Sequence, residues 1–207
     1  MRETIYEVER ITDLKDMINK SVDKFADRPA YVFKTDKKGK IKEITYRQLK
    51  NDIDNLGTSL INLGLQDKRI AVIGENRYEW GVTYLAVVNG TGTIVPLDKA
   101  LPANEIESLI IRSGVEAIVY SSKYDEIMNM LKEKKNTDLK YFISMDLEES
   151  ENGIISFKKL INRGKELLEN GDKRFVDAKI DVEEMTIMLF TSGTTSKSKA
   201  VMLSHKN

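Results

Sequence analysis

Short apolar runs alternate with amphipathic stretches from residue 69 onward, and this alternation leaves few folds open. The runs are RIAVIG (69–74), TIVPLD (93–98), EAIVYSS (116–122), LKYFISMD (139–146) and MTIMLFTS (185–192). Between them, residues 78–88, 102–114, 122 to about 134 and 156–169 carry apolar side chains at helical spacing. A strand that is apolar at nearly every position is buried on both faces, and strands alternating with helices form parallel sheets. The expected fold class is therefore α/β: a mostly parallel sheet with helices on both faces.

The first 68 residues differ. Residues 12–25 place Leu14, Ile18, Val22 and Phe25 on one helical face, with Asp13 positioned to cap the free amides. AYVFKT and KIKEIT flank DKKGK, which predicts a hairpin with Gly39 in its turn. Thr45 and Gln48 have capping-box spacing ahead of Leu49, Ile53, Leu56, Leu60 and Leu63, and Gly64 suits a left-handed helix end. Pro102 and Gly114 bracket a further helix, and Asn170-Gly171 closes another. EESENG (148–153) reads as an exposed loop and residues 168–184 as a polar, irregular connection into the last apolar run.

Composition removes several function classes. There are no cysteines and one histidine, His205, so disulfides, thiolate chemistry and multi-histidine metal sites are excluded. Lys+Arg and Asp+Glu both number 33, which gives no electrostatic reason to expect nucleic acid as a partner. The N-terminal residues are charged and lack the apolar core of a signal peptide, and no apolar run approaches a transmembrane span. A cytoplasmic protein is expected, with contact to a membrane surface left open.

Gly90-x-Gly92 lacks the third glycine of a dinucleotide fingerprint and precedes a strand, so it reads as a helix-to-strand turn. No glycine stands before the lysines of a Walker loop. Ser204-His205 lacks the geometry of a nucleophile pair; Ser204 is expected to cap a helix with His205 in its first turn. Trp80 is expected to pack a helix onto the sheet. TSGTTSKSK, starting at Thr191, is different. It follows a strand at the sheet edge where open α/β folds bind ligands. Six of residues 191–198 bear hydroxyls, Gly193 frees the backbone, and Lys197 and Lys199 add positive charge. Such a set suits a triphosphate. On composition alone, a polar strand-to-helix connection explains it equally well.

TSG-TT-SKSK-AVMLSH resembles the phosphate-loop signature TSGTTGxPKGVxxSH of the adenylate-forming superfamily, which comprises acyl-CoA synthetases, luciferases and peptide-synthetase adenylation domains. GENRYEW and VPLDKALP are similar to its long-chain fatty acid branch, and the likeness spans nearly all of residues 12–207. The resemblance implies that Thr191, Ser192, Gly193, Thr194, Thr195 and Lys199 surround the β- and γ-phosphates of ATP. It implies acyl-adenylate formation from a fatty acid with Mg²⁺, then transfer to the thiol of CoA or of a carrier protein.

Ser196, Ser198 and Ala200 depart from the glycine, proline and glycine of the signature. The signature's position within the family implies that residues 1–207 are the N-terminal part of the AMP-binding domain. Within it, 1–45 form a helix and hairpin, 46–170 an α/β subdomain, and 171–207 the connection, strand and phosphate loop. Catalytic residues and the C-terminal domain are then expected outside this chain, which alone is expected to be inactive and to self-associate. A non-catalytic scaffold module is the contrasting reading.

Overall fold

A computed structural model describes residues 9–35, 39–191 and 198–207. The first helix, α1 (Leu14–Phe25), is followed by a hairpin of β1 (Pro29–Lys34) and β2 (Ile41–Thr45), then α2 (Tyr46–Asn62). The α/β part runs β3 (Lys68–Ile73), α3 (Tyr78–Ala86), β4 (Gly92–Pro96), α4 (Ala103–Ser113), β5 (Ala117–Tyr120), α5 (Asp125–Lys134), β6 (Tyr141–Ser144), β7 (Ile154–Ser156) and α6 (Phe157–Glu169). The chain ends in β8 (Ile187–Thr191) and β9 (Lys199–Leu203).

The caps read from sequence form as expected. The Asp13 side chain accepts from the Asp16 amide, and Thr45 with Gln48 forms a complete capping box. A further cap, not read from the sequence, starts α6: the Ser156 hydroxyl accepts from the Lys159 amide. Gly64 and Gly114 adopt positive φ where α2 and α4 end.

Seven strands form one sheet in the order β7-β6-β5-β3-β4-β8-β9, while β1 and β2 pair separately. β3 to β8 run parallel, as the apolar runs predict. Successive residues serve opposite faces. Ile70, Val72, Ile94, Ala117, Val119 and Ile187 join a core with α2, α3 and α6. Ala71, Ile73, Val95, Ile118, Tyr120 and Met188 join another with α4 and α5.

Two elements differ from expectation. The run 185–192 is not the last strand, because β9 pairs antiparallel with β8 from Ile187↔Leu203 to Thr191↔Lys199. A connection spanning 192–198 is too short for a parallel crossover but suits a hairpin. The helix expected at Ser204 is absent: the Ser204 hydroxyl accepts the Lys206 amide in a turn, and the Ser204 amide donates to Asn207 Oδ1. β9 lies at the sheet edge and exposes Val201 and Met202, the apolar surface on which self-association would rest.

The connection 170–186 is irregular, yet it sends the fully buried Phe175 into the core against α2. The Gly90–Gly92 turn reading holds. Residues Val87–Thr91 form a widened π-type turn, Gly90 has φ 138°, and a Cβ on Gly92 would stand 2.2 Å from the Lys68 carbonyl oxygen. Trp80 is partly buried and stacks on Tyr84 with ring centroids 5.6 Å apart.

Candidate phosphate-binding edge

Because β3, β4, β5, β6 and β8 are parallel, their carboxyl ends share one edge of the sheet. Thr191 closes β8 there and stands opposite Lys199, which opens β9. Of the residues expected to surround phosphates, these two are described, and both are exposed at the mouth of the hairpin. Ser192, Gly193, Thr194 and Thr195 lie outside the described residues.

A cation that sequence reading missed secures the exit of this hairpin. Arg112 donates from Nη2 to the Ser198 carbonyl at 2.7 Å, and its guanidinium lies 5.4 Å from the Phe190 ring centroid. The hydrogen bond joins residues 86 positions apart, and Arg112 sits at an exposed position near the end of α4, so periodicity carries no hint of it. Among the described residues, the hairpin mouth thus combines the hydroxyls of Thr191 and Ser198 with the cationic side chains of Lys199 and Arg112. That donor set fits an anionic polyphosphate. Among the described residues, no three acidic or histidine side chains converge to hold a metal ion.

Neighbouring strand ends carry a second charged network. Arg77 bridges Glu79 and Asp146 at 2.6 Å each, and Asp146 also accepts the Ser122 amide at 2.7 Å. After β3, the Lys123 ammonium beside Glu75 holds that carboxyl down at about 2, against burial that pushes the other way. A depressed acid stabilises the fold above its unfolded value, near 4.5, and that contribution fades as pH falls toward 2. With Lys123→Ala, the Glu75 carboxyl is expected to titrate near the ordinary carboxylate range. A ¹³C-detected NMR titration checks this; an unchanged midpoint would remove Lys123 as the cause.

A hollow of about 870 Å³ lies between the β1–β2 hairpin and the start of α3, walled by Tyr31, Phe33, Tyr78 and Trp80. Neither Thr191 nor Lys199 lines it.

These features place the chain among α/β proteins whose ligand edge is the carboxyl edge of a parallel sheet. Residues 18–207 match the family model described as AMP-binding enzyme, and the chain belongs to that family. It is 31% identical over 179 residues to fatty acyl-CoA synthetase A of Dictyostelium discoideum, covering 83% of this chain and 26% of the relative. It is 29% identical over 180 residues to long-chain-fatty-acid–CoA ligase 5 of Rattus norvegicus, covering 80% and 26% respectively. The chain thus spans about a quarter of the length of these relatives. The crystal structure of the anthranilate CoA ligase AuaEII with anthranoyl-AMP shares the fold at a TM-score of 0.78 and 18% identity, covering 96% of this chain and 36% of that one.

Proposed function

We propose that this chain supplies the ATP-phosphate site of a long-chain fatty acid–CoA ligase whose other catalytic parts lie in sequence beyond these 207 residues. The observation that carries the reading is the pairing of Thr191 with Lys199 at the carboxyl edge of the sheet, in a chain of the AMP-binding family whose TSGTT sequence begins at Thr191. In the proposed reaction a fatty carboxylate attacks the α-phosphorus of ATP, pyrophosphate leaves, and the CoA thiol then displaces AMP from the acyl-adenylate. CoA is preferred over a carrier-protein thiol because the curated relatives are acyl-CoA synthetases and ligases.

Each part of the edge has a physical task. The hydroxyls and backbone amides of 191–195 replace the water shell of the β- and γ-phosphates. Lys199 neutralises charge that builds on the pyrophosphate as it departs. Arg112 holds the Ser198 carbonyl and so fixes the strand that presents Lys199. Mg²⁺ arriving with the nucleotide supplies further charge neutralisation. Among the described residues no helix is long and apolar enough to cross a membrane.

The test is fatty-acid-dependent ATP–pyrophosphate exchange. The 207-residue chain alone is expected to show none. In the longer enzyme, Lys199→Ala is expected to raise the KM for ATP by about tenfold or more, the scale of one charge-assisted hydrogen bond, with fatty acid affinity little changed. Equal losses for both substrates would argue against a phosphate role.

A further inference from the structure

His205, the only histidine of the chain, is used by neither the sheet nor the proposed reaction, yet it ties three distant segments together. Its Nδ1 accepts the Leu14 amide at 3.2 Å, and its Nε2 lies 3.0 Å from the Val88 carbonyl oxygen. One form of the ring serves both: neutral, with the proton on Nε2. Leu14 is the first residue of α1, whose opening amides have no partner within the helix. Asp13 takes the Asp16 amide, and His205 takes that of Leu14, so the cap is completed from 191 residues away. Val88 belongs to the widened turn Val87–Thr91.

β9 needs such an anchor. It is an edge strand with β8 as its one ladder partner, and four of its five residues are exposed. A slip of one residue against β8 would turn Lys199 to the opposite face of the hairpin and separate it from Thr191. His205 follows the last β9 residue, Leu203, by two positions, close enough to set that register.

We propose that His205 is a positioning residue: as a neutral imidazole it locks β9 in register and so holds Lys199 opposite Thr191. The inference rests on the phosphate-binding reading for its functional consequence, but the lock itself is separable from it.

The experiment uses the 207-residue chain and two variants. His205→Gln keeps an acceptor and a donor on a planar group; His205→Leu keeps neither. Amide hydrogen exchange of Leu14 and of β9 is measured at neutral pH and corrected for intrinsic rates, and MgATP affinity is measured in parallel. Loss of the two hydrogen bonds is expected to speed Leu14 exchange by about tenfold in His205→Leu. His205→Gln is expected to restore most of that protection, since its planar amide can accept from the Leu14 amide and donate to the Val88 carbonyl. ATP affinity is expected to fall in His205→Leu and recover in His205→Gln. Equal Leu14 protection in wild type and His205→Leu overturns the lock, as does a His205→Gln chain that is as unprotected at Leu14 as His205→Leu. A wild-type chain that binds no ATP while Leu14 follows the expected pattern overturns the phosphate reading and leaves the lock standing.

Discussion

Alanine at position 164 is expected to destabilise the chain by about 3 kcal/mol, at the upper end of the overpacking range. Local preference points the other way, since Gly→Ala inside a helix ordinarily gains about 1 kcal/mol. Geometry decides the sign. A Cβ on Gly164 would stand 1.7 Å from the Asn55 carbonyl oxygen and 2.4 Å from its carbonyl carbon. Both are backbone atoms of α2, so no side-chain rotation relieves the clash, and α2 and α6 must move apart. That movement also strains the buried hydrogen bond from the Ser59 hydroxyl to the Leu160 carbonyl, 2.6 Å long, which joins the same two helices. Urea unfolding of Gly164→Ala, with the exposed neighbour Lys165→Ala as control, measures the effect. A midpoint equal to or above that of the wild type would mean the helices are not in this contact.

Phe175→Ala is expected to cost about 3–5 kcal/mol, the usual loss for emptying a buried aromatic site. For a chain of this size that is a fall of roughly 10 °C in Tm. Phe175 is fully buried although it belongs to the irregular connection before β8. Its ring fills the space left by Gly57, where a Cβ would come within 2.2 Å of it. Lys15 strengthens the seat: its ammonium donates to the Phe175 and Ala178 carbonyls at 2.9 and 2.7 Å and lies 5.4 Å from the ring centroid. Gly57→Ala is therefore expected to be harmful in the wild type and tolerated beside Phe175→Ala. Additive effects of the two substitutions would show that the ring does not sit on Gly57.

Those two sites mark where the sequence was hard to read. The central strands were legible because β3 and β5 are buried on both faces, leaving unbroken apolar runs. Helix ends were legible because capping chemistry is local: Asp13, Thr45 with Gln48, and Gly114 act within a few residues. β9 was not legible. Its residues AVML are four apolar positions on an exposed edge, and the following Ser204-His205 imitates a helix start. β7 spans three residues, too few for a periodicity. Phe175 is a single aromatic within a polar stretch, and its burial depends on a glycine 118 positions earlier. Of the candidate site, the hydroxyl-rich segment and Lys199 were legible as chemistry. Arg112 and the His205 anchor were not, because each acts across the fold through contacts without a sequence spacing.

A nucleotide titration followed by ¹H–¹⁵N spectra of the 207-residue chain tests the central claim most directly. MgATP and AMP are added separately. A loop that holds the β- and γ-phosphates requires ATP to move the amides of residues 191–199, Thr191 and Lys199 among them, and AMP to move them far less. Equal shifts with AMP, or ATP shifts centred on the hollow beside Tyr31 and Trp80, would contradict a phosphate-binding edge at the β8–β9 hairpin.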